Sequence, residues 1–96
     1  MLSNFDMIHN HQEEGVKREI LDTCGRHPRL AAEPELLADV ACVALNALPA
    51  RYIRHAIDLS FYQTEQERAK SEVAVRQAVE KAFLFVESRL DARKHA

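Results

Sequence analysis

The chain has little of what builds turns and cross-links: its 96 residues include two glycines, three prolines and two cysteines. Because all-β folds need many turn residues, this scarcity favours helices. Two cysteines cannot form a disulfide framework, and no segment approaches the ~20 apolar residues that span a bilayer. The N-terminal residues also lack the basic and apolar regions of a signal peptide. These absences predict a soluble cytoplasmic protein with no membrane partner.

An excess of positive charge is also absent. The 15 acidic and 13 basic residues leave a net charge of -2, which disfavours strong nonspecific binding to nucleic acid polymers. A small DNA-binding helical domain is therefore the least favoured hypothesis. The hydrophobic share of 47% and the charged share of 29% are typical of globular proteins, so residues 1–96 are expected to form a single domain.

A first helix is predicted over residues 6–24, with Asp6 as its N-cap and Gly25 as a left-handed cap at its end. Gly15 lies in mid-helix, where glycine costs about 1 kcal/mol against alanine, so it marks either close helix packing or a tolerated surface position. The core face, interrupted by polar Gln12, is expected to comprise Phe5, Ile8, Val16, Ile20 and Cys24.

A second helix is predicted over residues 34–47, after a connector at residues 25–33. Pro34 fits the first turn of a helix, and Pro49 stops it. Apolar residues cover most of its circumference, so it should be buried on more than one side. Cys42, within this apolar helix, is expected to be a small buried hydrophobe.

A long third helix is predicted to run to about residue 93, with Thr64 and Glu67 as a capping box at its start. Thirty residues make about 45 Å of helix, so part of its apolar face is expected to pack on a second copy. The predicted fold class is all-α: a small helical domain with a long C-terminal helix that forms a helical homodimer. The predicted core stripe is Val75, Val79, Ala82, Val86 and Leu90, widened by Phe83, Leu84 and Phe85.

The most informative block begins at Asp39, continues through an alanine-rich helix and ends in Ala-Leu-Asn-x-Leu-Pro-x-x-Tyr. Its defining residues here are Asp39, Ala41, Ala44, Leu45, Asn46, Leu48, Pro49 and Tyr52. This block resembles the signature of the late competence development protein ComFB family. Residues 10–20 are also similar to the opening helix of that family.

The resemblance implies a small all-helical fold that dimerises, and it implies a ligand class. Several members of the family are receptors for cyclic dinucleotide second messengers. One branch carries a zinc-binding cysteine cluster just before the Asp of the motif, whereas residues 35–38 here are Glu-Leu-Leu-Ala, so no structural zinc is expected. Ala50 stands where many members have a second Pro, which is expected to loosen the exit turn.

A cyclic dinucleotide carries two phosphates and two purines. Three of the residues that follow Pro49 have side chains suited to binding it. Arg51 and Arg54 can donate bidentate hydrogen bonds to phosphate or guanine, and Tyr52 offers a stacking face and a hydroxyl. The alternative is a solvated arginine pair flanking a tyrosine in the core. Residues 50–63 are expected to be extended or irregular, with a short strand or ordered crossing at Tyr52 and Ile53.

Three further residues are candidates for ligand binding. Asp39 and Asn46 are seven residues apart and share one helix face, so they could contact a base edge or ribose. Alternatively, Asp39 pairs with an arginine and Asn46 caps the helix. Arg18, beside Lys17, could complete a phosphate clamp, or it could belong to a solvated face on which it pairs with Glu14.

Patterns for metal binding and catalysis are weak. Cys24 and His27 have a C-x-x-H spacing, and Cys42 lies further on, but a structural zinc usually takes four ligands. The chain has no glycine-rich phosphate loop, no H-E-x-x-H and no nucleophile elbow. We therefore expect no enzymatic activity, no cofactor and no bound metal.

Two functional hypotheses follow. In the first, the protein is a non-catalytic cytoplasmic receptor for a cyclic dinucleotide, cyclic di-GMP before cyclic di-AMP, and it signals through a downstream protein. Its ligand-binding residues would be Arg18, Asp39, Asn46, Arg51, Tyr52 and Arg54. In the second, it is a ligand-free dimeric interaction module in competence or motility regulation, and the long third helix is its working surface.

Overall fold

The structure is a computed structural model that describes residues 3–55, 57 and 63–94. It is about 80% helical, with a long helix at the C-terminal end, so the predicted all-α class is confirmed. Single turns of 3-10 helix span Ser3–Met7 and Cys24–Arg26. The α-helices described are α1 (Gln12–Thr23), α2 (Pro28–Ala31), α3 (Pro34–Ala47) and α4 (Glu65–Lys94).

Helix α3 has the predicted boundaries, because Pro34 occupies its first turn and Leu48, just before Pro49, is already extended. It packs against α1, α2 and α4, which explains why its apolar residues surround most of the helix. The prediction that Cys42 is buried is wrong: its side chain is exposed. Cys42 lies three residues after Asp39 and four before Asn46, so the three residues share a solvent-facing side of the helix.

Helix α4 carries the largest part of the core. Thr64 caps its start, where the Thr64 Oγ1 accepts a hydrogen bond of 3.1 Å from the backbone N–H of Glu67, as predicted. Leu84 and Phe85 were expected to widen the core stripe, which is wrong, because successive residues turn about 100° around a helix and these two are 58% and 51% exposed. The fully or nearly fully buried residues of α4 are Val75, Ala78, Val79, Ala82, Phe83 and Val86.

The first helix begins at Gln12 rather than near residue 6. Asp6 lies in the first 3-10 turn and does not cap α1, which begins at Gln12, and Phe5 and Ile8 are exposed instead of in the core. The reason is local: the Asn10 Oδ1 accepts a hydrogen bond of 3.2 Å from the Gln12 N–H and so marks the start of α1.

The end of α1 also differs from the prediction. Gly25 does not adopt a left-handed conformation, and α1 tightens instead into the 3-10 turn Cys24–Arg26. The connector that follows contains the short helix α2, whose Leu30 is completely buried. This turn of helix, which packs against α3 and the 3-10 turn Cys24–Arg26, therefore places one apolar side chain in the core.

A short antiparallel pairing joins the chain before α1 to the chain after α3. Strand β1 (His9–Asn10) pairs with β2 (Tyr52–Ile53), with His9 opposite Ile53 and Asn10 opposite Tyr52. The predicted strand at residues 52–53 is therefore confirmed. The rest of the segment predicted to be irregular falls partly outside the described residues, at positions 56 and 58–62.

None of the helices that the structure describes is both long enough and apolar enough to cross a bilayer.

Candidate anion-binding groove

The exit from α3 is tied to the start of α1 by three hydrogen bonds. The Gln12 Nε2 donates to the Pro49 carbonyl at 3.0 Å, and the backbone N–H of His11 donates to the Arg51 carbonyl at 2.6 Å. The backbone N–H of Arg51 donates to the Asn10 Oδ1 at 2.9 Å. Gln12 is buried, so its amide hydrogen bond offsets the cost of placing a polar group in the core. These contacts fix the backbone of Arg51 against α1.

Arg51 lines an open groove of about 570 Å³ between α1 and the first half of α4. A volume of this size is typical of sites for small organic ligands. Four of the groove's lining residues are arginines: Arg18, Arg51, Arg68 and Arg76. Four others are glutamates: Glu14, Glu19, Glu65 and Glu72.

The groove is therefore balanced in charge rather than uniformly basic. Arg68 forms an ion pair with Glu65, with its Nη2 at 2.8 Å and 3.1 Å from the two carboxylate oxygens. Within the described parts of the chain, the guanidinium groups of Arg18, Arg51 and Arg76 make no ion pair or hydrogen bond. Three guanidinium groups are therefore available to a ligand without any exchange of partner.

His11 lines the same groove, and its pKa is lowered. The largest cause is burial, which disfavours the charged imidazolium, followed by the positive charges of His9, Arg51 and Arg18. Glu14 acts in the opposite direction. These surroundings therefore favour neutral His11, and a bound anion would favour its protonated form.

The floor of the groove lies where α1 and α4 meet. Gly15 is half-buried there, and a Cβ added to it would lie 3.8 Å from a methyl group of Val75, an ordinary van der Waals distance. Of the two interpretations of Gly15, the structure favours a helix contact, but one that would also accept alanine.

The six sequence-predicted site residues fall on different surfaces. Arg18 and Arg51 both line the groove. Tyr52 and Arg54 are exposed and lie outside its lining, because side chains along an extended segment alternate and residues 52 and 54 face away from the side of Arg51. Tyr52 is 67% exposed, so the alternative in which it fills the core is wrong.

Asp39 and Asn46 lie on the exposed side of α3 and are not part of the groove lining. Neither side chain makes an ion pair or hydrogen bond with any residue that the structure describes, so neither of the structural alternatives predicted for them is observed. The exposed side of α3, defined by Asp39, Cys42 and Asn46, is called the α3 face below.

Sequence reasoning missed the contribution of α4 to the groove. The residues Glu65, Arg68, Glu72 and Arg76 follow one another at spacings of three, four and four, which places them on one side of a helix. This charged stripe was readable in the sequence, but nothing local indicated that it would lie against α1. The anchoring role of Gln12 was also missed, because it depends on a carbonyl 37 residues away.

A second polar cluster joins the connector to the C-terminal half of α4. The His27 ring stacks on Phe83 with centroids 4.3 Å apart, and its Nδ1 lies 2.7 Å from the Glu87 Oε1. Arg29 forms an ion pair of 3.0 Å with Asp91 and donates to the Glu87 carbonyl at 3.3 Å. These contacts hold the connector against α4.

The residues with weak metal-binding spacing, Cys24, His27 and Cys42, do not come together in the described parts of the chain. His27 is engaged with Glu87, the Cys24 Sγ lies 3.6 Å from the Leu21 carbonyl, and Cys42 is exposed on the α3 face. No group of three or more His, Cys, Asp or Glu residues within these described parts is arranged to hold a metal ion.

The protein is thus a small all-α domain. The segment that leaves α3 at Pro49 is anchored to the start of α1, and the groove beside it is lined by four arginines. Comparison with known families identifies the family: residues 9–90 match the late competence development protein ComFB family, and the chain belongs to it. Searches of curated proteins and of solved structures give no significant match.

Proposed function

We propose that this protein is a non-catalytic cytoplasmic receptor for a cyclic dinucleotide, and that the groove between α1 and α4 is its binding site. Membership of the ComFB family supports the proposal. The observation that carries it is the convergence of Arg18 and Arg51, from separate parts of the sequence, on one groove of suitable size. Both side chains are of the type that contacts phosphate.

Arginine is suited to this ligand because its planar guanidinium donates paired hydrogen bonds to phosphate oxygens. A cyclic dinucleotide presents two phosphates on one ring, so it needs donors from more than one direction. Arg18 belongs to α1 and Arg51 follows α3, and the hydrogen bonds of Asn10 and His11 to the Arg51 backbone hold the two segments together.

The mixed charge of the groove favours guanine over adenine. Guanine offers the O6 and N7 acceptors to arginine, and its N1–H and N2–H₂ donors suit a carboxylate. Adenine offers a single amino group as a donor, so it leaves more carboxylates unpaired. Glu14 and Glu19 of α1 supply acceptors beside Arg18. We therefore propose cyclic di-GMP before cyclic di-AMP.

A homodimer that engages a downstream protein is part of the proposal. The protomer measures 48 × 37 × 19 Å, a thin slab with a long α4. Leu84 and Phe85 leave large apolar side chains exposed on α4, and a second copy would bury them. A two-fold dimer also suits a two-fold ligand.

The alternative is a ligand-free interaction module in competence or motility regulation. It is favoured by the same exposed side chains of α4, because Leu84 and Phe85 could dock a different protein. In that case the arginines and glutamates of the groove compensate one another's charge and bind no small molecule.

Isothermal titration calorimetry with cyclic di-GMP, cyclic di-AMP and linear dinucleotides tests the proposal. We expect saturable binding of cyclic di-GMP, with weaker binding of the other ligands. Arg51→Gln should raise the Kd by roughly tenfold or more, because a hydrogen bond to a charged group is worth about 1.5–3 kcal/mol. The matched control is Arg54→Gln, which removes the same charge outside the groove.

Absence of heat and of a thermal shift with every dinucleotide would overturn the receptor hypothesis and favour the interaction module. Equal losses in the Arg51 and Arg54 variants would instead indicate a nonspecific charge effect. The dimer is tested separately by sedimentation of the wild type and of a Leu84→Glu/Phe85→Glu variant, which should be monomeric.

A further inference from the structure

The α4 side of the groove carries a charged stripe whose role is not explained by the fold. Glu65, Arg68, Glu72 and Arg76 all line the groove, opposite Arg18 of α1. Their side chains contribute nothing to the hydrophobic core, which uses other positions of α4. A groove with arginines on both walls can hold an anionic group from two sides.

Arg68 occupies an unfavourable position for a cation. It lies in the first turns of α4, where the helix dipole disfavours positive charge, and Glu65 partly offsets that cost. The pair is solvent-accessible, with Arg68 and Glu65 side chains 60% and 87% exposed. An exposed ion pair of this kind is weak, so a ligand phosphate can displace Glu65 from Arg68.

The start of α4 is rigid enough to present this side chain. Thr64 accepts a hydrogen bond from the Glu67 N–H at 3.1 Å, and the Arg68 N–H donates to the Thr64 carbonyl at 2.9 Å. Arg76 lies further along the stripe and makes no ion pair with any residue that the structure describes. The two guanidinium groups therefore differ: one is already paired and the other is available.

We infer that Arg68 and Arg76 form the second wall of a bis-phosphate site, and that Glu65 is a built-in competitor that holds Arg68 until a phosphate replaces it. The identity of the ligand as a cyclic dinucleotide rests on the proposed function. The inference itself requires only an anion with two phosphate groups. Glu65 then lowers the affinity slightly, because every binding event must exchange its carboxylate for a phosphate on Arg68.

The test uses the full chain, with cyclic di-GMP and inorganic pyrophosphate as separate probes in calorimetric titrations. Arg68→Gln and Arg76→Gln should each raise the Kd by roughly tenfold or more, the effect of losing a hydrogen bond from a charged group. Glu65→Gln should lower the Kd by about twofold to fivefold, as expected for release of an exposed ion pair.

Two variants on the same helix serve as matched controls. Glu67→Gln removes a carboxylate from the same first turn, and Lys70→Gln removes a cation two residues after Arg68, but neither position lines the groove. Both should leave the Kd within about twofold of the wild type, as for surface changes far from a site. Circular dichroism and thermal melts establish that every variant folds.

A double-mutant cycle distinguishes competition from a general charge effect. If Glu65 acts by holding Arg68, the gain in affinity from Glu65→Gln disappears in the Arg68→Gln background. If the gain persists there, Glu65 is no competitor for Arg68 and that part of the inference is overturned.

Failure of this inference is distinguishable from failure of the proposed function. Wild-type binding of cyclic di-GMP that is unchanged by Arg68→Gln and Arg76→Gln would overturn the second wall and leave the receptor proposal intact. Binding of pyrophosphate that depends on these arginines, with no binding of cyclic di-GMP, would support the second wall and overturn the ligand proposed. Absence of binding of both probes would overturn both.

Discussion

Residues 39–52 contribute to two different surfaces, the groove between α1 and α4 and the α3 face. Arg51 enters the groove, where it meets Arg18 and two arginines of α4. Asp39 and Asn46, from the same sequence block, lie on the exposed side of α3 without a hydrogen-bonding partner in the described chain. Closeness in sequence therefore did not bring the polar residues of this block to one site.

The physical reason is the change of backbone at Pro49. Helix α3 distributes its side chains around an axis, whereas the segment after Pro49 is extended and alternates its side chains between two sides. Gln12 and Asn10 hold this extended segment against α1. Arg51 therefore reaches the groove between α1 and α4, whereas no side chain of α3 lines it. Of residues 39–52, only Arg51 therefore lines the groove, whereas Ala44 and Leu48 of the same block belong to the hydrophobic core.

The largest expected effect is the difference in ligand affinity between variants of the groove and variants of the α3 face. The double variant Arg18→Gln/Arg51→Gln should weaken cyclic di-GMP binding by about 100-fold or more, since each lost charged hydrogen bond costs about 1.5–3 kcal/mol. Asp39→Asn/Asn46→Ala should change the Kd by less than about twofold, as for exposed residues outside the site. Calorimetry measures both, and a larger loss from the α3 pair would make the α3 face the binding surface.

Cutting the anchor between α1 and the α3 exit should affect both stability and binding. Gln12→Ala removes the part-buried hydrogen bond to the carbonyl of Pro49, an exposed residue, at a cost of about 0.5–1.5 kcal/mol in the free energy of unfolding. The Kd for cyclic di-GMP should also rise, because Arg51 is no longer held in place. Urea denaturation and calorimetry measure these effects.

Glu13→Ala is the control for that anchor, because Glu13 is the exposed neighbour of Gln12 on α1. It should change the stability by less than about 0.5 kcal/mol. An unfolding free energy for Gln12→Ala equal to that of the control would show that the hydrogen bond to Pro49 contributes nothing to the fold.

Protonation of His11 should change the stability of the protein and the ligand affinity of the groove, without affecting the α3 face. Its folded-state pKa is lowered by burial and by the charges of His9, Arg51 and Arg18, against the opposing effect of Glu14. The unfolded chain therefore binds the proton more readily, so the stability supplied by neutral His11 is present above about pH 6.5 and is lost as the pH falls. His11→Gln should reduce this loss in urea titrations between about pH 7.5 and pH 5.

Ligand binding should respond to the same proton with the opposite sign. A bound anion favours protonated His11, so the Kd should decrease as the pH falls, by at most about tenfold per pH unit for one proton. The His55→Gln control should retain this dependence, whereas His11→Gln should remove it. Identical pH profiles for the two variants would rule out His11 as the coupled group.

The smallest change tests the floor of the groove. Gly15→Ala should stabilise α1 by up to about 1 kcal/mol through helix propensity, because its Cβ would meet Val75 at an ordinary 3.8 Å. The added methyl group should nevertheless raise the Kd for cyclic di-GMP if the ligand reaches the floor. Gly25→Ala is the matched control, since nothing lies within 4 Å of its added Cβ and it is outside the groove. Unchanged binding by Gly15→Ala would place the ligand above the floor.

Much of the helical architecture was predictable because its signals are local. Pro34 and Pro49 bracket α3, and Thr64 caps α4, so these boundaries follow from the chemistry of single residues. The start of α1 was not predictable from periodicity, because Phe5 and Ile8 imitate a helical core face while strand pairing removes their segment from the helix.

The candidate site was predictable only in part. Arg18 and Arg51 were identified from residue chemistry and family resemblance, and both line the groove. Arg68 and Arg76 were not identified, because a charged stripe on a helix looks the same whether it faces solvent or a neighbouring helix.

By itself, the sequence determined the family, the helical class, the limits of α3 and the cap of α4, because each depends on neighbouring residues or on a contiguous motif. Only the tertiary structure decided which polar residues share a surface. Gln12 holds the Pro49 carbonyl across 37 positions, and α1 lies against α4, so distant arginines meet in the groove while Asp39 and Asn46 stay apart from them. Such long-range contacts arise from packing of the whole chain, which no local pattern encodes.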